Sequence, residues 1–195
     1  RLLVFQMARP TQLSFKNAPT FEKHFRSEHG GGLRPKRRKE ARPLSTKRPI
    51  HLVLRSTRAR GQWSFLASAH VSRVEKLARR LGGRFQVRVH KLANSGNHLH
   101  LIVQGRTREG LQSFLRTYPA LLARLVTGAK KGQPKGRFWD ALAYTRLVTW
   151  GRELLALERY LMRNELEAVG FLSSGERCLT IAEALARRGI RLAGT

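Results

Sequence analysis

The chain has 195 residues, with 39 Lys plus Arg against 12 Asp plus Glu and a formal net charge of +27. That length fits one full domain with appendages, and 41% hydrophobic residues are enough to bury a core, which excludes a wholly disordered basic tail. So large a surplus calls for a polyanion, nucleic acid first and an acidic membrane surface second.

The chain opens with Arg1 rather than Met, which leaves its natural start open, and Arg1-Leu-Leu-Val-Phe5 is too short for a signal peptide's apolar region. Residues 1–48 read as a basic N-terminal arm, partly flexible. They hold Gly30 to Gly32 and then a run of Arg34, Lys36, Arg37, Arg38, Lys39, Arg42, Lys47 and Arg48 with the single acid Glu40. Like charges at that density disfavour compact structure. The run is either a solvated linker or an arm that neutralises backbone phosphates, and the charge of the whole chain favours the arm.

From Pro49 the pattern is regular. Ile50 to Thr57 predicts a strand with Leu52 and Leu54 on one face and His51, Val53 and Arg55 on the other. Val71, Val74, Leu77, Ala78 and Leu81 predict a helix that Gly82-Gly83 stops. Arg84 to Leu92 predicts a second strand, with Phe85, Val87 and Val89 against Gln86, Arg88 and His90. The turn Asn94-Ser-Gly-Asn97 leads into a third, His98 to Gln104. Thr107 to about Thr127 is helical, kinked or broken at Pro119. A basic loop, Lys130 to Gly136, precedes a fourth strand within Ala141 to Trp150, and a helix runs from Arg152 to Val169. Residues 172–195 form a C-terminal helical tail, with Thr180 and Glu183 as a capping box and Gly189 as its stop. The lone Cys178 excludes a disulfide framework or a multi-cysteine zinc site and fits a reducing compartment. No apolar run approaches the roughly 20 residues of a membrane span.

The order of elements predicts an α+β, ferredoxin-like split βαβ domain at residues 49–171: an antiparallel four-stranded sheet with helices on one face and a further helix near the open face. That open face would carry His51, Arg55, Gln86, Arg88, His90, His98 and His100. His98 and His100 stand two apart on a strand, so both rings leave from one face, close enough to share a metal ion. Taken alone, such a pair is as readily an accident of a polar sheet face. Tyr160 and Asn164 are spaced i, i+4 and share a helical face, by default a half-buried Tyr with a hydrogen-bonding neighbour. Tyr118 and Tyr144 lack an amide one turn on, and no phosphate-binding glycine loop or clustered acidic pair is present.

Together, Asn97-His98-Leu99-His100, Gly136-Arg137-Phe138-Trp139 and Tyr160-x-x-x-Asn164 make Ile50 to Phe171 resemble the single-tyrosine transposases of the HUH endonuclease superfamily. Among these it looks most like the members associated with repetitive extragenic palindromes. The resemblance implies a metal-dependent single-stranded DNA endonuclease and strand transferase, with Tyr160 as nucleophile. It implies His98, His100 and Asn164 as ligands of Mg²⁺ or Mn²⁺, and a 5′-phosphotyrosine that a second 3′-OH resolves. Many members have Gln at the Asn164 position, and the palindrome-associated group commonly has Asn-Pro where this chain reads Asn164-Glu165. Glu167 is either a substitute ligand or a solvated charge. The implied substrate is single-stranded DNA with hairpin or palindromic ends in a bacterial cytoplasm, close to the nucleoid. Arg55, Arg88, Lys91, Lys130, Lys131, Lys135 and Arg137, with Arg37 and Arg38 of the arm, are the expected DNA contacts. Trp63, Phe138 or Trp139 stack bases or belong to the core, and His51 and His90 touch phosphate or support the ligands. A homodimer, with the tyrosine acting in its own subunit or in a partner, stays open. The rival reading is a non-catalytic or domesticated nucleic-acid-binding protein on the same fold.

Overall fold

A computed structural model describes residues 28–31 and 41–172; Arg37, Arg38, Cys178 and the expected tail helix lie outside them. The elements are β1 (Glu28–Gly31), β2 (Ile50–Arg55), a 3-10 turn (Gly61–Trp63), α1 (Val71–Phe85), β3 (Val87–Asn94), β4 (His98–Gly105), α2 (Arg108–Thr127), β5 (Leu142–Leu147) and α3 (Arg152–Ala168).

The strands form one open antiparallel sheet in the order β1-β5-β2-β4-β3. From β2 onward the chain runs strand, helix, strand, strand, helix, strand, the split βαβ order expected. The expected count of four strands is corrected to five. The extra strand, β1, comes from the stretch read as arm and pairs with β5, Gly31 standing opposite Leu142. Gly30 makes that approach feasible: its φ is +90°, and a Cβ there would sit 2.2 Å from the Ala143 carbonyl oxygen. Arg42 reinforces the same edge, donating to the Ala143 carbonyl at 2.8 Å and to Thr145 Oγ1 at 2.6 Å.

One face of the sheet carries the main core. Ile50, Leu52 and Leu54 of β2 and Leu99, Leu101 and Val103 of β4 pack on Val74, Leu77, Ala78 and Leu81 of α1 and on Leu111, Phe114, Tyr118 and Leu122 of α2. All are nearly or fully buried, and burying each Val, Leu, Ile or Phe among them is worth about 1.5–3 kcal/mol. Val71, expected on this apolar stripe, is instead exposed at the first turn of α1.

Gly82-Gly83 does not stop α1. The helix runs on to Phe85 and is capped by Gln86 in the left-handed conformation, whose N–H reaches the Gly82 and Gly83 carbonyls. Gly82 is there for packing: a Cβ would lie 2.6 Å from the Val87 carbonyl oxygen. The second strand of the split motif therefore starts at Val87, not Arg84, with Phe85 still helical. Pro119 does not break α2, which is continuous from a Thr107 side-chain cap on the Gly110 N–H to the left-handed Gly128.

Candidate active site on the histidine face

The opposite face is built from the alternate residues of the same strands. The turn into β4 is pinned by Asn94, whose amide donates to the Phe65 carbonyl at 2.9 Å and accepts from the Gly96 N–H at 3.0 Å. Strand pairing then sets Arg55 opposite His98, Val53 opposite His100 and His51 opposite Ile102. Ala93 of β3, small and fully buried, stands opposite His100. On β5, Arg146 is opposite His51.

Helix α3 crosses this face. Glu153 in its first turn bonds the Arg146 guanidinium and the Thr149 N–H and hydroxyl, which ties the helix start to β5. Leu157 and Leu161 pack on Ala93, Ile102 and Val148, a small second core. With those two leucines turned inward, Tyr160 and Asn164 arrive beside the imidazoles. The Tyr160 ring meets His100 edge to face, centroids 5.8 Å apart at 88°. Asn164 Nδ2 lies 3.5 Å from His100 Nε2. His98 and His100 are themselves edge to face at 5.0 Å. The four residues singled out from sequence thus meet on one face, and Tyr160 keeps 51% of its surface exposed.

Both imidazoles of the pair have Nδ1 engaged. His98 Nδ1 is 2.7 Å from Asn97 Oδ1, and His100 Nδ1 is 3.0 Å from His51 Nε2, the two rings lying nearly parallel. Burial pushes His100 down to about 4, helped by the charge of His98, and His51 down to about 3, helped by His100 and Arg146. His98 is lowered by burial and by Arg55. All three are neutral at neutral pH, the form that ligates metal.

No group of three His, Cys, Asp or Glu side chains able to hold a metal occurs among the described residues. The two imidazoles come instead with an amide whose nitrogen faces His100 Nε2; with that amide turned over, two neutral imidazole nitrogens and a carbonyl oxygen could hold a divalent ion. Glu167 is occupied elsewhere, its carboxylate 2.8 Å from Arg163 Nε. Glu165 sits near Lys91 and the Asn94 backbone, with its carboxyl raised by burial against the pull of both.

Cations flank the face. Arg55 is exposed beside His98 and reaches Asp140 at 3.9 Å; Arg88 is exposed opposite Gln104; Lys91 is half-buried opposite Ile102. Lys130, Lys131, Lys135 and Arg137 are exposed in the loop after α2. Arg137 spends its donors on the Trp139 and Asp140 carbonyls, and Arg58 braces the same loop at the Lys135 and Arg137 carbonyls. Arg58 also lies over the Trp63 ring at 5.0 Å. Phe138 is buried against Phe65, and Trp139 stacks on Phe65 while its indole N–H donates to the Pro119 carbonyl at 3.1 Å. Both belong to the core in this arrangement. A bulge between Val89 and Lys91 displaces His90 from strict alternation, and it contacts Gln104 and Trp150. Arg146 escaped the sequence reading, although period-two alternation on β5 puts it on the face of Tyr144.

No family model and no curated protein matches the chain. Among solved structures, a crystal structure from Deinococcus radiodurans, provisionally described as a transposase, is similar over 66% of this chain and 98% of that one, with 16% identity and a TM-score of 0.42. No helix among the described residues is long and apolar enough to cross a membrane.

Proposed function

We propose that this chain is a DNA-nicking and strand-joining enzyme that cleaves single-stranded DNA through Tyr160, with a divalent ion, Mg²⁺ or Mn²⁺, held by His98, His100 and Asn164. The observation that carries the reading is the half-exposed phenol set edge to face on the buried, neutral His100, itself edge to face with the half-buried His98, and with a carboxamide one turn on. A structural tyrosine has no need of such company. Tyr118, by contrast, is fully buried and its hydroxyl donates to the Val74 carbonyl.

A bound divalent ion supplies positive charge against the scissile phosphate. The chain's own groups do the rest. Arg55, Arg88 and Lys91 on the histidine face offer charge to the flanking phosphates and hold the strand across the sheet. The Tyr160 oxygen forms a bond to phosphorus as its proton leaves to the solvent it faces. The bond from phosphorus to the 3′ oxygen breaks, and that oxygen takes up a proton. The product is a 5′-phosphotyrosine and a free 3′-OH. Because a phosphodiester is exchanged for a phosphodiester, a second 3′-OH can displace Tyr160 and join strands without a nucleotide cofactor.

The test is an incubation of the full chain with a 3′-labelled library of single-stranded and hairpin oligonucleotides and Mn²⁺. A labelled covalent adduct is expected, absent from Tyr160→Phe and from a chelated control. Oligonucleotide binding without any adduct would leave the non-catalytic nucleic-acid-binding reading in its place.

A further inference from the structure

The contact between His51 and His100 does more than fill space. An N···N distance of 3.0 Å requires that one nitrogen carry a proton and the other a lone pair. His100 Nε2 faces the amide nitrogen of Asn164 at 3.5 Å, and an amide NH₂ only donates. With the amide turned this way His100 Nε2 accepts, its proton sits on Nδ1, and Nδ1–H donates to His51 Nε2. Donors therefore run in one direction, from Asn164 to His100 to His51. The reverse assignment would put a proton on His100 Nε2, the one nitrogen of that ring that faces Tyr160's helix, and an N–H cannot ligate.

From this chain of contacts we infer that His51 is a positioning residue: as a fixed, buried acceptor on the neighbouring strand, it holds His100 in the Nδ1–H tautomer so that Nε2 presents its lone pair to the site. Its placement is enforced by the sheet. His51 is 7% exposed, sits opposite Ile102 on β4 and opposite Arg146 on β5, and its ring lies nearly parallel to that of His100. Arg146 is itself held by Glu153, so the cation beside His51 does not swing into the site. Histidine ligands commonly hand their second nitrogen to a carboxylate or carbonyl; here a second imidazole takes that place.

The inference rests on the ligand reading above, but the tautomer arm of its test does not. Long-range ¹H–¹⁵N correlation on the full, metal-free chain reports which ring nitrogen of His100 is protonated, and Mn²⁺ titration followed by electron paramagnetic resonance reports affinity. The expected result is Nδ1–H in the wild type, a shift of the proton toward Nε2 in His51→Phe, and an Mn²⁺ affinity about 10–100-fold weaker in that variant. His51→Gln keeps an acceptor oxygen, so it should keep the tautomer and most of the affinity; it also serves if His51→Phe fails to fold. A wild-type His100 protonated on Nε2 overturns the inference, and so does a tautomer indifferent to both substitutions. The expected tautomer in a wild type that binds no Mn²⁺ supports the role of His51 and overturns the metal part of the function instead.

Discussion

The two faces of this sheet are made by the same strands and behave in opposite ways. Toward α1 and α2, Ile50, Leu52, Leu54, Leu99, Leu101 and Val103 are apolar and almost wholly buried under two helices. Toward α3, the intervening residues are His51, Val53, Arg55, His98, His100 and Ile102, and apolar contact shrinks to a patch of Ala93, Ile102, Val148, Leu157 and Leu161. The first face supplies the stability that lets the second carry buried neutral imidazoles and an exposed phenol. Stability and chemistry are thus separable by which face a substitution touches.

The sharpest way to break that division is to alter one residue on each face. Tyr160→Phe should lower covalent adduct formation at least about a thousand-fold while moving stability by no more than about 0.5 kcal/mol, since the hydroxyl lies on a half-exposed ring. Phe114→Ala should do the reverse. It empties the main core and costs about 3–5 kcal/mol in urea denaturation, without touching the site of any folded molecule. Should Tyr160→Phe prove as destabilising as Phe114→Ala, the phenol is a packing residue and the division fails. Leu161→Ala sharpens the boundary: it loosens α3 from the sheet, costs about 2 kcal/mol, and lowers the adduct rate although Tyr160 is intact.

Acid should act on the histidine face first. His100 at about 4 and His51 at about 3 lie below the ordinary 6.5, so the unfolded chain binds protons before the folded one does. The stabilisation is full above about pH 6.5 and is lost as the pH falls toward about 4, by about 1–3 kcal/mol. Urea midpoints across that window check it, and His51→Gln should flatten the slope. The smallest effect is expected at Trp139→Phe. It removes the indole bond to Pro119 for about 1 kcal/mol and leaves oligonucleotide affinity unchanged, whereas a base-stacking Trp139 would lose affinity.

What could be read from sequence followed from where the physical signal is local. Period-two alternation at Ile50–Arg55 and His98–Gly105 and the i, i+4 spacing of Tyr160 and Asn164 are short-range patterns that placed each pair on one face of its own element, and the family resemblance is what joined the two pairs. The misses needed long-range information. Glu28–Gly31 has no alternation and becomes a strand only because β5 offers an open edge. Gly82-Gly83 reads as a helix stop, yet its absent side chain is required by a strand that follows five residues later. The bulge at His90 and the burial of Phe138 and Trp139 likewise depend on partners far away in the chain. So does the pairing of His51 with His100, which needs the β2–β4 register before it can be seen.

The most direct measurement is anomalous diffraction at the manganese edge from crystals of the full chain soaked in Mn²⁺. A peak within about 2.0–2.4 Å of both His98 Nε2 and His100 Nε2, on the side where Tyr160 and Asn164 stand, is the predicted result. A peak seated elsewhere, or none at a concentration that saturates adduct formation, would contradict the account.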